Sequence, residues 1–228
     1  MNNPGSAALE TLQARLGYRF EDPELLLRSL THRSSGSQNN ERLEFLGDTV
    51  VNLAAAVAFY DRFPDASEGI LSRLRASVVS GKSLAGIARG LNLSECLVLG
   101  ESERKSGGRH RGSILADALE ALAGAILLDS NLETAVATVR RWLRDAIEGA
   151  TPEETIDAKT QLQEWLQARR DNLPVYSIVE VTGSGHEQCF RVECRLATRK
   201  LKSEGSGSSR RRAEQQAAQR MLEQLVAR

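Results

Sequence analysis

The sequence predicts an all-α domain followed by a small α+β domain with the element order α-β-β-β-α. Apolar residues recur at spacings of three and four across residues 8–150, which is the period of a helix with one buried face. Beyond residue 157 the pattern changes to short alternating segments between two helical stretches, as in a small two-layer fold. The predicted domains are therefore residues 1–150 and 158–228, joined by a linker at 151–157 that contains a proline and few apolar residues.

Seven helices are predicted in the first domain, and strand patterns are nearly absent from it. Clusters of Gly, Pro, Asp and Ser, such as residues 63–67, separate most of the helices and are typical of loops. The predicted helices cover approximately residues 7–16, 23–31, 40–62, 68–79, 81–90, 113–128 and 131–148.

The second domain is predicted to contain three short strands between two helices. The first helix, 158–169, is amphipathic, and the last covers residues 208–226. Strands are predicted at 175–181, 190–196 and 199–203, the first two joined by a turn at 183–186, Gly-Ser-Gly-His.

The charge is unevenly distributed although the formal net charge is zero. Residues 157–228 contain thirteen Lys and Arg against nine Asp and Glu, whereas residues 1–156 contain seventeen against twenty-one. This difference favours anion binding by the second domain. Three cysteines without a CxxC pair, and the lack of a signal-peptide pattern or a long apolar span, lead us to expect a cytoplasmic protein without a membrane partner.

The most informative segment is residues 40–51, NERLEFLGDTVV, in which three acidic residues recur at helical spacing. Glu41, Glu44 and Asp48 would share one face of a helix, where like charges repel by roughly 0.2–0.5 kcal/mol per pair. Helix capping by Asn39 or Asn40 would explain the first two acids but not Asp48. A cation against this face would explain all three.

A glycine in the same helix, Gly47, has a cost of ~1 kcal/mol relative to alanine at a mid-helix position. Glycine is favoured where another backbone or a ligand approaches closely. We therefore expect such an approach at Gly47.

A second acidic pair lies in a helix that is apolar nearly all round, residues 113–126. Such a helix is usually buried, and Asp117 and Glu120 lie three residues apart on one of its faces. Buried carboxylates need a partner. Salt bridges to Arg73 or Arg75 are one solution, and a bound metal ion is the other.

Packed face to face, the two acidic helices would bring four carboxylates to a common point. Oxygen donors of this kind are typical of a Mg²⁺ site, and such an ion can activate water for attack on a phosphodiester. Glu41 and Glu68 are candidates for an outer or second-metal position, although Glu68 follows Ser67 and would also favour a helix start. The four predicted cluster residues are Glu44, Asp48, Asp117 and Glu120.

These motifs resemble those of bacterial ribonuclease III. Residues 40–48 are similar to its signature motif, residues 113–121 (SILADALEA) to its second acidic motif, and residues 30–34 (LTHRS) to an early turn. The resemblance covers essentially the whole chain and implies Mg²⁺-dependent cleavage of double-stranded RNA, with Mn²⁺ as a substitute. It further implies 5′-phosphate and 3′-hydroxyl ends with short 3′ overhangs, and a role in processing rRNA precursors and other structured transcripts.

The resemblance also implies roles for individual residues. Asp48 and Glu120 would be catalytic, and the metal cluster would comprise them together with Glu44 and Asp117. The family's nuclease domain is a homodimer, and Phe45 matches the position that inserts into the partner subunit. Ordinary core packing is the alternative for Phe45.

The C-terminal domain resembles a double-stranded RNA-binding domain, which reads duplex shape and 2′-hydroxyl groups. Arg210, Arg211 and Arg212 lie where a helix is predicted to begin, and helix N-termini favour phosphate; a solvated charged face is the alternative. Further RNA contacts implied by the resemblance are Gln161, Glu164 and His186.

A non-catalytic, dimeric protein that binds double-stranded RNA is the rival hypothesis. It predicts that at least one of the four cluster carboxylates is replaced. All four are present, which favours a nuclease.

Overall fold

The chain folds into two units of different architecture, as a computed structural model shows for residues 4–152, 158–183 and 188–226. The units are Met1–Pro152 and Glu153–Arg228. The described part of the first consists of helices and their connections with a single isolated β-bridge, Thr31 to Val98, and that of the second contains a three-stranded antiparallel sheet with two helices. The predicted fold class is therefore confirmed.

Nine α-helices are described in the first unit, and several begin at a capping side chain. Asp22 Oδ1 accepts from the N–H of Glu24, and Asn131 Oδ1 accepts from the N–H of Thr134, which satisfies backbone donors at the helix start. The helices are α1 (Ser6–Leu16), α2 (Pro23–Ser29), α3 (Glu41–Arg62), α4 (Glu68–Val78), α5 (Gly81–Gly90), α6 (Glu101–Lys105), α7 (Gly112–Asp129), α8 (Leu132–Trp142) and α9 (Arg144–Gly149).

Helices α3 and α7 form the central pair of this unit and pack along one another. The expectation that α7 is buried is confirmed, since residues such as Leu115, Leu119 and Leu122 are at most 1% exposed. Helix α3 is long and apolar enough to cross a membrane by length and composition alone. Its buried face, which includes Val51 and Phe59, packs into the core of the unit, as in the core helix of a folded domain.

Two predicted features of the first unit were wrong in detail. The short helix α6 was not predicted, because five residues are too few to show a helical period. The helix predicted at 131–148 is interrupted at Leu143. At this point Trp142 Nε1 donates to the carbonyl oxygen of Leu16 at 2.9 Å, a tertiary contact that local periodicity does not encode.

The second unit places two helices against an antiparallel sheet of order β1-β2-β3. Its core is formed by residues such as Leu162, Leu166, Cys194 and Met221. The elements are α10 (Ala158–Ala168), β1 (Val175–Thr182), β2 (Cys189–Leu196), β3 (Leu201–Gly207) and α11 (Arg210–Val226). The turn predicted at 183–186 lies largely outside the described residues.

Strand β3 is displaced from its predicted position, since it covers Leu201–Gly207 rather than 199–203. Lys200 has a φ of 52° and belongs to the turn before the strand. Gly205 resembles a loop residue in the sequence, but it lies in the strand beneath α11. A Cβ there would lie 2.3 Å from the backbone nitrogen of Ala217, so this glycine permits the helix to pack on the sheet.

Candidate active site and nucleic-acid surface

A cavity of about 740 Å³ in the first unit contains the predicted acidic residues of α3 and α7. Residues 32–34, Glu103 of α6 and Arg111 just before α7 complete its wall. The lining residues are His32, Arg33, Ser34, Asn40, Glu41, Glu44, Phe45, Asp48, Glu103, Arg111, Ser113, Ile114, Asp117 and Glu120.

Three carboxylates from the two helices meet in this cavity. One carboxylate oxygen from each of Glu44, Asp117 and Glu120 lies within 4.8 Å of the other two; we call these residues the carboxylate cluster. Asp48 lines the same cavity, and its Oδ1 accepts a hydrogen bond of 2.9 Å from Nδ2 of Asn52. The structure thus brings all four predicted residues to one cavity, with three of them in mutual contact range.

The contact between α3 and α7 depends on two glycines. A Cβ on Gly47 would lie 1.7 Å from the carbonyl oxygen of Glu120, and a Cβ on Gly124 would lie 2.2 Å from that of Leu43. These distances are too short for any side chain, so the prediction of a close backbone approach at Gly47 is confirmed. The approach places the acidic faces of the two helices opposite one another.

The cluster carboxylates are held where their ionised forms are disfavoured. Burial, then Asp48 and the other two cluster carboxylates, raise the pKa of Glu120 to about 7. Burial also raises the pKa of Glu44 and of Asp117. A concentration of negative charge with raised pKa values is typical of functional sites.

The salt-bridge alternative for the second acidic pair is not realised. Within the described ranges, Asp117 and Glu120 form no ion pair with Arg73, Arg75 or any other lysine or arginine. No lysine or arginine of the described ranges therefore neutralises the negative charge of Asp117 and Glu120 at salt-bridge distance. Hard divalent ions prefer such an all-oxygen donor set.

The two outer acidic candidates differ in position. Glu41 lines the cavity and accepts from Arg33 Nη1 at 3.5 Å, while its N–H donates to Asn39 Oδ1. Asn39 therefore caps the start of α3 at Glu41, and Glu41 also lies in the cavity wall. Glu68 is not among the lining residues, and its carboxylate accepts a hydrogen bond of 2.7 Å from the hydroxyl of Ser72.

Sequence reasoning did not place His32, Glu103 or Arg111 in the acidic site, although all three line its cavity. His32, from the 30–34 motif, lines the cavity, and burial lowers its pKa. Arg111 and Glu103 lie on the wall with Arg111 Nη1 2.7 Å from Glu103 Oε1. The sequence signal for Arg111 was the basic loop at residues 105–111, KSGGRHR, which is predicted to contact the RNA backbone. Glu103 lies outside that segment, and its contact with Arg111 arises from the fold.

Phe45 is not a core residue. Its side chain is 81% exposed although it follows Glu44 directly, so the core-packing alternative is wrong. Leu53, Val57 and Tyr60 on the same helix are also exposed.

Basic residues of the second unit surround a cleft of about 570 Å³ at the start of α11. Arg210 and Arg211 line it with Lys159 of α10, a residue that sequence reasoning did not single out. The buried Glu214 holds two of these cations, with Lys159 Nζ at 2.7 Å and Arg210 Nε at 2.8 Å. The cleft can therefore present fixed positive charge to a phosphate backbone.

The remaining predicted RNA contacts occupy different environments. Arg212 Nη1 donates to the hydroxyl of Ser208 at 2.9 Å. On α10, Gln161 is half-buried and Glu164 is exposed. His186 lies outside the described residues.

Comparison with protein-family models identifies both units. Residues 22–147 match a Ribonuclease-III-like model, and residues 158–225 match the double-stranded RNA binding motif.

Individual relatives give the same result over nearly the whole chain. Ribonuclease 3 of Alkalilimnicola ehrlichii is 53% identical over 217 residues, covering 95% of each chain. Ribonuclease 3 of Xylella fastidiosa is 51% identical over 223 residues, covering 96% of this chain and 97% of its own. A solved nuclease domain of ribonuclease III from Campylobacter jejuni is 42% identical with a TM-score of 0.60, covering 62% of this chain and 97% of that domain.

The acidic cavity thus lies within the matched nuclease domain, and the basic cleft lies within the matched RNA-binding motif. The chain belongs to the ribonuclease III family of endoribonucleases, with a double-stranded RNA binding motif after its helical nuclease domain.

Proposed function

We propose that this protein hydrolyses phosphodiester bonds of double-stranded RNA with the help of Mg²⁺. The observation that carries the proposal is the carboxylate cluster, three acidic side chains within 4.8 Å of one another and unpaired with lysine or arginine among the described residues. Like charges so close together are stabilised when a cation binds between them.

The residues of the cavity fit a hard divalent ion. Glu44, Asp117 and Glu120 would hold it through carboxylate oxygens, which suit Mg²⁺ and its substitute Mn²⁺. When bound, the ion supplies water activation and charge neutralisation at the phosphate. Asp48 and Glu120 are the proposed catalytic residues, since the family resemblance implies this role for both and both line the cavity.

The RNA-binding unit would hold the duplex through its backbone. We propose that Arg210, Arg211 and Arg212 bind phosphate, joined by Lys159 of the same cleft. Gln161, Glu164 and His186 remain proposed contacts to the minor groove, where 2′-hydroxyl groups distinguish RNA from DNA.

The family resemblance supports three finer proposals. The products would have 5′-phosphate and 3′-hydroxyl ends with short 3′ overhangs. The substrates would include rRNA precursors and other structured transcripts in the cytoplasm. The protein would act as a homodimer with Phe45 at the contact, in keeping with its exposed side chain, because two sites related by a two-fold axis suit the two strands of a duplex.

Replacing Glu120 by alanine tests the catalytic proposal. Cleavage of a long RNA duplex should require Mg²⁺, stop with chelator, and fall by at least about 100-fold in Glu120→Ala, the scale seen when one transition-state contact is removed. RNA binding measured in chelator should stay near the wild-type value, because the basic cleft is unchanged.

The rival, a non-catalytic binding protein, predicts duplex binding without metal-dependent cleavage by the wild type. That result would overturn the proposed function. Glu133→Ala is a matched control, since Glu133 is an exposed acid in the first turn of α8 and does not line the cavity.

A further inference from the structure

Basic side chains line the same cavity as the carboxylate cluster, and we propose that one of them, Arg111, binds the phosphate group that is cleaved. This inference rests on the proposed function, since it concerns the same site. It adds a substrate-contacting residue that the acidic motifs do not contain.

The charge of this cavity would repel a phosphodiester. The described lining contains six carboxylates against two arginines and one histidine. The substrate is anionic, and attack on phosphorus develops further negative charge on its oxygens. A bound divalent ion offsets part of the repulsion, and a guanidinium offers paired N–H donors that match two phosphate oxygens.

Of the two arginines, Arg111 is the better placed for this role. The Arg33 side chain is 71% exposed, and its Nη1 already donates to Glu41. Arg111 is half-exposed, and its Nη1 lies 2.7 Å from Oε1 of Glu103, whose side chain is only 20% exposed. Because its partner is largely buried, Arg111 is held at the cavity wall, whereas Arg33 lies mostly in solvent.

The segment that follows α6 explains why the carboxylate of Glu103 is fixed. A Cβ on Gly108 would lie 2.7 Å from both Cγ and Oε1 of Glu103, so the loop backbone packs directly on this side chain. Glu103 is therefore a rigid anchor for the charge of Arg111, and we assign it as a positioning residue.

The contact between the two side chains leaves donors for a ligand. Glu103 Oε1 is buried and close to Arg111, yet no N–H in the described structure points at it with hydrogen-bond geometry. Charge attraction thus holds the guanidinium, and its N–H groups form no hydrogen bond with the residues that the structure describes. An anion in the cavity can accept them without breaking the ion pair.

The test compares four variants in single-turnover cleavage of a long RNA duplex at saturating Mg²⁺. Arg111→Gln should cleave about 100-fold more slowly than wild type, and Arg111→Lys should recover part of that loss. Glu103→Gln breaks the same ion pair but keeps the guanidinium, so its loss should be clearly smaller. The control Arg140→Gln, which breaks an exposed pair with Asp61 outside the cavity, should cleave like wild type, and all four should bind RNA normally in chelator.

A second readout does not depend on activity. The full-length protein is titrated with inorganic phosphate while the arginine Nε–H signals are recorded in NMR spectra. The Arg111 signal is the one that is absent in Arg111→Lys, and we expect phosphate to shift it. Equal losses of cleavage rate in Arg111→Gln and Glu103→Gln would show that the ion pair has a purely structural role and would overturn the inference. An Arg111 signal that phosphate leaves unchanged would overturn it as well. Failure of the wild type to cleave with Mg²⁺ would instead overturn the proposed function itself.

Discussion

The carboxyl group of Glu120 shows how a single side chain at this site opposes folding when no cation is bound. Burial and neighbouring carboxylates raise its pKa to about 7 from an ordinary value of 4.5. Between these two pH values the folded state binds more protons than the unfolded state, so stability falls as pH rises through this window. The cost is complete above pH of about 7 and absent below about 4.5.

Glu120→Gln should therefore stabilise the metal-free protein at pH 8 and leave it nearly unchanged at pH 4.5. We expect a gain of about 1 kcal/mol, since the side chain is partly exposed and solvent screens the repulsion. Denaturant unfolding in chelator at both pH values measures the effect. If the free energy of unfolding fell equally in wild type and variant between pH 4.5 and pH 8, repulsion at Glu120 would not be the cause of the stability loss.

At the scale of elements, the crossing of α3 and α7 determines the geometry of the site. Gly124→Ala would place a methyl group 2.2 Å from the carbonyl oxygen of Leu43, so the helices must separate. Such overpacking costs about 1–3 kcal/mol. Because Glu44 and Glu120 lie on either side of this contact, the variant should also bind Mn²⁺ more weakly.

Calorimetry with Mn²⁺ and thermal unfolding measure these two effects. Gly86→Ala in α5 is the matched control, because a Cβ there meets no atom within 4 Å. It should leave metal affinity unchanged and stabilise the protein by about 0.5–1 kcal/mol. A folded Gly124→Ala protein with wild-type Mn²⁺ affinity would show that the crossing does not set the site.

Elements with a strong local pattern were predictable from sequence, and elements defined by tertiary contacts were not. The apolar run of α7 and the spacing of Glu44 and Asp48 were sufficient to predict a buried helix facing an acidic one. The break at Leu143 occurs next to the contact of Trp142 with the end of α1, and β3 extends to Gly207 where α11 packs closely on it. The pairing of Arg111 with Glu103 likewise needs a loop fold that no periodicity reveals.

At the scale of the whole molecule, the two units differ in the charge of their candidate sites. The acidic cavity lies in the first unit and the basic cleft in the second, which agrees with the opposite charge balances of the two parts of the sequence. Under the proposed function, attraction to RNA would come chiefly from the second unit, while the first would concentrate the negative charge that binds a metal ion.

Assembly into a dimer would place a second chain next to the cavity. Helix α3 leaves an apolar face uncovered in the single chain, with Phe45 81% and Tyr60 73% exposed and Leu53 and Val57 also accessible. Isolated exposed apolar residues are ordinary, but four on one helix, two of them more than 70% exposed, indicate an interaction surface. Phe45 is also a lining residue of the cavity, so the interface would border the active site.

Phe45→Asp should therefore shift the protein from dimer to monomer. Losing the burial of one phenylalanine costs about 2 kcal/mol or more, and the introduced carboxylate adds a desolvation cost, so dimerisation should weaken by at least about 30-fold. Sedimentation velocity over a range of concentrations measures the change. The control is Val226→Asp, because Val226 is also apolar and is 72% exposed but lies in the second unit; this variant should remain dimeric. A dimer of unchanged affinity in Phe45→Asp would exclude this face of α3, and with it the proposal that the partner subunit borders the carboxylate cavity.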